Sequence, residues 1–374
     1  MSDYKQDFDQ FTRRVLEDAK SKMRIAVVHS GDKTKPGTVV NEIANTRFWK
    51  SYKFVAEDIS SSLKRAGFKH VEVMKEGIHL IKRLTEFEAD LVWANSGGVQ
   101  GRASICHLPA MLELAGIDYI GHDPANSLLL DQKHIFKWAL KAKGIKTPSF
   151  FVWPAKSPRF TERGNKKFYR NFGTFEGPFI VKPTSGRASQ NVEYVENVKN
   201  LGMVIEAVNK ETQSDVLIER FLNGREFTVS IMPSIVCQNG KFVNHNNPFC
   251  FSRIERILSK NEKIFTSMDV KPITAERAKL LDFEDSELIL KLDALATQVF
   301  TEFNLETLVR VDFRVDMDSE LNILEVNPKP DLKRPLNDTF SLSSLGLEAE
   351  QMTYDDLILS ILSSKITFGK FSLE

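Results

Sequence analysis

The residue types and spacing best suited to chemistry occur in LVRVDFRVDMDSELNILEVN, residues 308–327. Apolar and charged residues alternate along its first half with the period of two expected of a strand, which puts Arg310 and Asp312 on one face. A polar turn follows, and an antiparallel hairpin of this length would return Glu325 and Asn327 to a position beside Asp312. Two carboxylates and an amide oxygen suit Mg²⁺, which shares the rest of its coordination shell with water and substrate phosphates. Arg310 would add a fixed positive charge for a phosphoryl group or an oxyanion.

The hairpin taken alone also fits an ordinary turn with solvated charges. The composition of the whole chain favours some classes of protein and excludes others. The chain of 374 residues is too long for one core of ordinary size, and its 42% hydrophobic and 27% charged residues indicate a globular protein of two or three domains. Lys and Arg number 51 against 50 Asp and Glu, a net charge of +1, which is not the basic excess of a nucleic-acid-binding protein. Small-molecule partners are therefore favoured, and no nucleic acid is expected.

Cysteine usage and hydropathy indicate a cytoplasmic protein. Cys106, Cys237 and Cys250 are odd in number and lack C-x-x-C spacing, which favours reduced thiols and argues against a zinc site. The chain has no apolar run of about 18 residues and no secretory signal, so no membrane association is predicted.

The elements that must position the hairpin begin with an open α/β sheet. Residues 1–22 are strongly polar and predict a helical or frayed extension. Strand and helix patterns alternate over residues 23–127, which is typical of a parallel sheet with functional loops at the carboxyl ends of its strands. Residues 154–175 are rich in Lys, Arg, Gly and aromatic residues without a period, and they predict a surface insertion. The other predicted elements before the hairpin are helices over residues 131–143 and 200–211 and strands over residues 149–153, 179–182 and 216–220.

Four motifs occur in the order seen in ATP-grasp enzymes, and within that group they resemble the D-alanine:D-alanine ligase family. The motifs are GIDYIGHDPANSLLLDQKHIFKWALKAKGIKTP (residues 116–148), FIVKPTSG (179–186), VLIERFLNGREFTV (216–229) and the hairpin pair RVDF and EVNPKP (310–313 and 325–330). The resemblance implies an ATP-grasp fold of mixed α/β and α+β class, in which an open α/β domain precedes two ATP-clamping subdomains. The implied organisation is an extension at 1–22, an N-terminal α/β preATP-grasp domain at 23–128, a central subdomain at 129–213 and a C-terminal subdomain with the metal site at 214–374.

The resemblance also assigns the residues of an ATP site. Lys133 and Lys182 would contact the phosphates as point charges, which does not require a fixed fork geometry. Taken singly, Lys133 is better interpreted as a solvated lysine, since the same predicted helix carries Lys137, Lys141 and Lys143. The adenine edge is assigned to Glu219, Arg220, Phe221 and Leu222, and the ribose to Glu226.

ATP and Mg²⁺ are the cofactors that the resemblance implies, with two magnesium ions expected and Mn²⁺ as a possible substitute. Asp312, Glu325 and Asn327 would bind the metal, and Arg310 and Lys182 would be the catalytic residues. The implied reaction transfers a phosphoryl group from ATP to a substrate carboxylate, and an amine then attacks the acylphosphate to form an amide. Catalysis would consist mainly of positioning and charge neutralisation.

The chain departs from the family where the second substrate binds. After the metal-binding Asn the family has a Gly-Met-Thr run, whereas this chain has PKPDLKRP at residues 328–335, and Ala188 stands where the ligases have a serine. We therefore expect a carboxylate-amine ligase whose acceptor is not D-alanine. The substrate contacts are assigned to Lys333 and Arg334, and from the N-terminal domain to Arg102 and His107, although all four could also face water.

Two alternatives stay open, a true D-alanine:D-alanine ligase and a nucleotide-binding protein without turnover. Residues 249–268, with Arg253, Arg256, Lys260 and Lys263, are the candidate segment that covers the site and excludes water. The identity and stereochemistry of the acid and amine are open, as is assembly into a homodimer.

Overall fold

The computed structural model describes residues 2–31, 50–101, 103–186, 189–259, 262–265, 273–274, 276–336 and 340–367. Over these residues the helices are α1 (Ser2–Lys22), α2 (Lys53–Arg65), α3 (Leu80–Glu86), α4 (His107–Ala115), α5 (Pro124–Asp131), α6 (Lys133–Ala142), α7 (Lys166–Phe172), α8 (Val198–Thr212), α9 (Ser286–Glu302) and α10 (Tyr354–Ile366). The strands are β1 (Arg24–His29), β2 (His70–Lys75), β3 (Leu91–Asn95), β4 (Asp118–Ile120), β5 (Phe150–Trp153), β6 (Phe179–Pro183), β7 (Glu193–Val195), β8 (Val216–Arg220), β9 (Glu226–Met232), β10 (Ile235–Gln238), β11 (Lys241–Asn244), β12 (Phe249–Arg256), β13 (Ala278–Leu280), β14 (Val309–Val315) and β15 (Leu321–Asn327).

The first four strands form the parallel sheet that the alternation of elements predicted, in the order β2-β1-β3-β4. Strand β1 is apolar throughout because both of its faces are covered. Ile25 and Val27 belong to a core cluster that contains residues of α1 and α2, whereas Ala26 and Val28 belong to a second cluster with residues of α3 and α4. The carboxyl ends of β1, β2 and β3 therefore meet at one edge.

A buried carboxyl group joins the loops at this edge. Glu76, directly after β2, is 6% exposed and accepts a hydrogen bond from Ser96 Oγ. The hydroxyls of Ser96 and Ser30 lie 2.9 Å apart, and the backbone N–H of Gly97 donates to Ser30 Oγ at 2.9 Å. Burial raises the pKa of Glu76 to about 7, although the Ser96 hydrogen bond and the charge of Lys329 act to lower it.

We expect Glu76→Gln to raise the free energy of unfolding at pH 8 and to change it much less at pH 5. Since the pKa of Glu76 rises from 4.5 to about 7 on folding, the stability contributed by its neutral form is present below pH 4.5 and is lost as the pH rises through 7. The full effect corresponds to about 3 kcal/mol. Urea unfolding at both pH values measures it, with the exposed Glu72→Gln as control. An equal effect of Glu76→Gln at both pH values would contradict the raised pKa.

Two antiparallel sheets follow, and the first has the order β5-β8-β6-β7. Phe179, Val181 and Ile218 pack with residues of α7 and α8 on one face of this central sheet. Lys182 and Glu219, at alternate positions, line a cavity on the opposite face. Strand β8 belongs to this sheet although it lies beyond the predicted boundary at residue 213.

The region between β5 and β6 is part of the core, which corrects the prediction of a surface insertion over residues 154–175. The segment contains helix α7, and Phe160, Phe168 and Phe172 are at most 8% exposed. Their rings pack against Phe151 and Phe179 of the central sheet with centroids 5.1–6.3 Å apart. The aromatic residues of this segment thus close one face of the sheet.

The C-terminal sheet has the order β13-β12-β9-β14-β15. Alternate residues of β9 and β14, such as Phe227 and Val311, belong to a core cluster with residues of α6 and α9. The intervening residues include Thr228 and Asp312, which are polar yet at most 2% exposed. The polar face of this sheet is therefore buried as well, and it forms the second wall of the cavity.

Helix α1 is a packed element of the fold. Val15 and Leu16 are 3% exposed and belong to the cluster that contains α10 and the hairpin β10-β11. Asp9 Oδ1 accepts a hydrogen bond from the backbone N–H of Phe242 at 2.7 Å. No helix in the described part of the chain is long and apolar enough to cross a membrane.

Candidate active site

Strands β14 and β15 form the antiparallel hairpin that the sequence predicted. The Asp316 side chain shapes the turn by accepting hydrogen bonds from two backbone N–H groups. The register pairs Asp312 with Glu325 and Arg310 with Asn327, with an irregularity directly after Asp312. The two carboxylates are therefore cross-strand neighbours.

Asp312 is buried among cationic donors. Arg310 donates to it from Nε at 2.8 Å and from Nη2 at 3.1 Å, and Arg256 donates from Nη2 at 2.8 Å. Thr228 Oγ1 donates a further hydrogen bond at 3.0 Å. Burial alone would raise the pKa of Asp312, but the two arginines hold it well below its usual range. Asp312 is therefore ionised at neutral pH.

Glu325 and Asn327 supply the other oxygen atoms of the candidate metal centre. Burial alone would raise the pKa of Glu325, but Lys133, whose Nζ lies 3.5 Å from the carboxylate, and Lys182 lower it. Asn327 Oδ1 accepts a hydrogen bond from the backbone N–H of Lys329 at 3.1 Å and keeps a second lone pair. Among the described residues, no group of three or more His, Cys, Asp or Glu could hold a metal. Two ionised carboxylates and one amide oxygen fit a Mg²⁺ ion that takes its other ligands from phosphates and water.

Glu219 joins two buried lysines on the opposite wall. Lys182 Nζ lies 2.6 Å from Glu219 Oε2, and Lys137 Nζ lies 2.7 Å from Glu219 Oε1. Burial alone would raise the pKa of Glu219, but the two lysines lower it to about 2. Interpreting the lysines of this helix as solvated is wrong for Lys137, which is fully buried. The sequence did contain a signal for this burial. Lys137 follows Phe136 and lies one turn before Leu140, on the apolar side of α6.

Lys137 also connects Glu219 with the metal hairpin. Its Nζ donates to Thr147 Oγ1 at 2.7 Å, and that hydroxyl donates to the carbonyl oxygen of Ile323 in β15 at 2.8 Å. Burial lowers the pKa of Lys137 to about 8, although Glu219 acts to raise it. Lys137 therefore fixes the central sheet relative to the strand that carries Glu325.

We expect Lys137→Met to lower the free energy of unfolding by about 3 kcal/mol, because it leaves the buried Glu219 with one cationic partner fewer. Urea unfolding at neutral pH measures the change. The control is Lys143→Met, since Lys143 forms an exposed ion pair with Glu302 at 2.7 Å that contributes about 1 kcal/mol or less. Equal losses in the two variants would contradict the importance of the buried pair.

Lys133 reaches the same cavity from the start of α6. Its Nζ donates to the carbonyl oxygen of Gly186 at 2.9 Å, and its backbone N–H donates to that of Thr184 at 2.9 Å. Lys133 and Lys182 both line one cavity together with Glu325. The two lysines assigned to the phosphates are thus brought together beside the metal hairpin.

The residues assigned to the adenine edge line this cavity as well. Ile180, Phe221 and Leu222 contribute apolar surface. The backbone N–H groups of Arg220 and Phe221 donate to the carbonyl oxygens of neighbouring segments at 2.9 and 3.0 Å. The backbone donor for adenine would therefore come from Leu222, and the side-chain acceptor from Glu219, rather than from the whole segment.

Glu226, assigned to the ribose, is a buried residue of β9 and not an exposed turn residue. Arg256 Nη1 lies 2.8 Å from Glu226 Oε1, and Arg314 Nη1 lies 3.2 Å from Oε2. Arg256 thus bridges Glu226 and Asp312. The sequence did not assign either arginine to this position, because Arg256 was placed in the candidate covering segment and Arg314 in the strand pattern of the hairpin.

The prediction that residues 249–268 cover the site is wrong for the first part of this segment. Its first part is β12, a strand of the C-terminal sheet, and Arg253 pairs with Asp293 at 2.8 Å. Ile264 and Phe265 line the cavity. Lys260, residue 261 and residues 266–268 lie outside the described residues.

A second cavity continues from the metal hairpin toward the N-terminal domain. It shares Lys133, Asp312 and Glu325 with the first cavity and also includes Arg310 and Asn327. Its far end is lined by Lys50, Tyr52, Lys329 and Asp331.

The structure does not bring the substrate contacts predicted from the charged run after Asn327 into the described cavities. Lys333 and Arg334 are exposed and do not line the described cavities. The run reaches the second cavity through Lys329 and Asp331 instead, and Leu332 after them is buried in the core.

Of the predicted contacts from the N-terminal domain, the structure describes His107 and does not place it in the cavity. His107 is exposed at the start of α4 and does not line either cavity. Arg102 and Ala188 lie outside the described residues. Among the described residues of the N-terminal domain, Lys50 and Tyr52 line the second cavity, and no motif in the sequence had pointed to them.

A family model described as D-ala D-ala ligase C-terminus matches residues 139–363. An uncharacterized protein y4sG of Sinorhizobium fredii is 24% identical over 323 residues, which cover 82% of this chain and 86% of that protein. A D-alanine–D-alanine ligase of Petrotoga mobilis is 25% identical over 315 residues, which cover 83% and 92%. The crystal structure of a D-alanine–D-alanine ligase from Bacillus anthracis complexed with ATP has a TM-score of 0.62 at 18% identity, covers 91% and 96% of the two chains and shows that the folds agree.

Proposed function

Because the chain belongs to the D-alanine–D-alanine ligase family of ATP-grasp proteins, which are ATP-dependent ligases that form carbon–nitrogen bonds, we propose that it joins a small-molecule carboxylate to an amine other than D-alanine. In the proposed reaction the γ-phosphoryl group of ATP moves to the carboxylate. The amine then displaces phosphate from the acylphosphate, so that an amide, ADP and phosphate are formed. The family assignment confirms the resemblance, the ATP-grasp fold and the class of enzyme.

One observation gives the strongest support to the proposed chemistry. Lysines that could bind phosphates and carboxylates that could bind a metal ion line the same cavity between two sheets. Lys182 lies on the central sheet, Asp312 and Glu325 lie on the C-terminal sheet, and Lys133 lies at the start of α6. Ionised groups at these positions would not stabilise a hydrophobic core, because burying a charge costs free energy. Such a concentration of buried charge in a cleft is typical of a functional site.

The side chains have distinct roles in this proposal. Lys133 and Lys182 bind and orient the phosphates, and Arg310 stabilises the negative charge that develops on the transferred group. The residues that would hold two Mg²⁺ ions are Asp312, Glu325 and Asn327. When bound, the metal would neutralise charge on the β- and γ-phosphates. The protein supplies no nucleophile, since positioning and charge neutralisation suffice for phosphoryl transfer.

The acceptor is proposed to differ from D-alanine because the second cavity is charged where the family has small polar residues. Lys329 and Asp331 of the PKPDLKRP run line its far end. A true D-alanine:D-alanine ligase is the alternative within the enzyme class. A nucleotide-binding protein without turnover is less well supported, since it would not need Asp312, Glu325 and Asn327 together. A cytoplasmic location and a homodimer stay predictions.

The test measures ADP release with ATP, Mg²⁺ and amino acids of both configurations, singly and in pairs. Hydroxylamine in parallel reactions converts an acylphosphate into a hydroxamate with release of phosphate. We expect hydroxamate formation with at least one acid, and faster ADP release with a pair other than D-alanine with itself. D-alanine as the best acid and best amine would favour the alternative ligase. An ADP release that no acid or amine changes, without hydroxamate, would contradict ligase turnover.

A further inference from the structure

The oxygen atoms of the Asp312 carboxylate are fully engaged by hydrogen bonds. Oδ1 accepts from Arg310 Nε at 2.8 Å and from Thr228 Oγ1 at 3.0 Å. Oδ2 accepts from Arg310 Nη2 at 3.1 Å and from Arg256 Nη2 at 2.8 Å. An ionised carboxylate offers about four lone-pair positions, so each of them is in use. A metal ion can therefore bind Asp312 only when one of these donors leaves.

Arg256 is the donor best able to leave. Arg310 lies two residues before Asp312 on β14 and donates through two nitrogen atoms. Thr228 is fully buried and, as a β-branched residue, has little rotamer freedom. Arg256 donates to Asp312 through one nitrogen atom and comes from the end of β12, which β9 separates from β14 in the sheet. Its long side chain can turn away from Asp312 while β14 keeps its position.

Arg256 also lies where it could reach the phosphates of a nucleotide. It lines both cavities, and the other charged residues that the structure describes at this junction are Lys133, Asp312 and Glu325. Nη1 of Arg256 lies 2.8 Å from Glu226 Oε1, and its Nε has no hydrogen-bond partner in the described part of the chain. A guanidinium group carries several N–H donors in a fork that suits phosphate oxygens. Arg256 can thus exchange Asp312 for a phosphate group.

We propose that Arg256 engages Asp312 until ATP binds and then moves to the phosphates, so that a metal ion binds Asp312 only together with the nucleotide. The inference rests on the metal and phosphate assignments of the proposed function. Neighbouring carboxylates without this arginine would attract divalent cations whether or not ATP is present. Arg256 is therefore a positioning residue that makes assembly of the metal centre depend on the nucleotide.

The first test measures the affinity for Mn²⁺ without nucleotide, by electron paramagnetic resonance of the free ion. Arg256→Met should bind Mn²⁺ about ten times more tightly than the native protein, because a charge-assisted hydrogen bond to Asp312 no longer competes. The control is Arg314→Met, which removes the same charge from the same buried cluster. In the described part of the chain Arg314 donates to Glu226 and to two backbone carbonyl oxygens. Its loss should therefore change the affinity by less than about threefold.

The second test measures how strongly the metal and the nucleotide depend on each other. Equilibrium dialysis gives the ATP dissociation constant with EDTA and with saturating Mn²⁺, and the ratio of the two values is the coupling. Direct chelation of Mn²⁺ by ATP is common to all variants and cancels when their ratios are compared. We expect the ratio of the native protein to exceed that of Arg256→Met about tenfold, since linkage requires the same factor in both directions.

Arg256→Lys is the second variant if Arg256→Met does not fold, because it keeps the charge that Glu226 and Asp312 require. An ammonium group lacks the fork that bridges the two carboxylates, so Mn²⁺ should still bind about three times more tightly than in the native protein. Equal Mn²⁺ affinities in Arg256→Met and Arg314→Met, or equal ratios in Arg256→Met and the native protein, would overturn the inference. A lack of hydroxamate with every acid would overturn the ligase function instead, and the coupling could still be measured.

Discussion

Glu325→Gln is expected to abolish product formation, with kcat lowered about a thousandfold or more, while ATP binding weakens but stays measurable. The carboxylate that faces Asp312 across the hairpin is lost, and with it one of the two anionic ligands of the proposed metal centre. The walls of the nucleotide cavity around Glu219 and Leu222 are unchanged, so the nucleotide still has its site. Hydroxamate formation measures turnover, and equilibrium dialysis with labelled ATP measures binding.

The control for this prediction is Glu320→Gln on the same hairpin. Glu320 lies in the exposed turn and pairs with Lys146 at 3.0 Å, so its removal should change neither kcat nor ATP binding. Because Glu325 also lies 3.5 Å from Lys133, urea unfolding of both variants tests for a structural effect. Native turnover in Glu325→Gln would rule out Glu325 as a metal ligand.

Lys182→Ala is expected to raise the KM for ATP and to lower kcat, so that kcat/KM for ATP falls about a hundredfold to ten-thousandfold. Lys182 lines the cavity with Lys133 and Glu325 and is 7% exposed, which means that its charge would act on a phosphate with little screening by water. A contact that strengthens as charge shifts in the transition state lowers kcat as well as raising KM. Steady-state ADP release over a range of ATP concentrations measures both constants.

Lys199→Ala is the matched control, since Lys199 is exposed on the same subdomain. Lys182 also pairs with Glu219 at 2.6 Å, so Lys182→Ala should lose stability, and assays must be run where the variant is folded. Lys182→Arg keeps the charge and should recover part of kcat/KM. If Lys182→Ala is folded and has native KM and kcat, Lys182 does not contact the phosphates and has only a structural role, its ion pair with Glu219.

The acidic residues of the site are held in a common way. Asp312, Glu226 and Glu219 are each bonded to two cationic side chains, and the partners come from separate elements. The pairs are Arg310 and Arg256, Arg256 and Arg314, and Lys137 and Lys182, respectively. Removing one partner leaves a buried charge poorly compensated, which makes the geometry of the site depend on the packing of both sheets.

The sequence by itself determined the elements whose signals are local. The hairpin was predictable from strand alternation and a short polar turn, but the pairing of Asp312 with Glu325 also depends on the irregularity directly after Asp312, which shifts the register by one residue. The parallel sheet of the N-terminal domain followed from alternating strand and helix patterns in the same way. Lys182 and Glu219 were found through motifs at the ends of strands, where a family resemblance could identify them.

The tertiary structure alone decided which charged residues reach the cavities. Lys137 is the same residue type as the exposed Lys141 and Lys143 nearby. Its burial is favourable only because Glu219 and Thr147 lie beside its ammonium group. The PKPDLKRP run contains several cations, and the path of the chain after β15, rather than residue type, brings Lys329 to Tyr52 and leaves Lys333 in water. The physical reason is that burial and ion pairing depend on partners distant in sequence, whereas periodicity and turn chemistry depend only on adjacent residues.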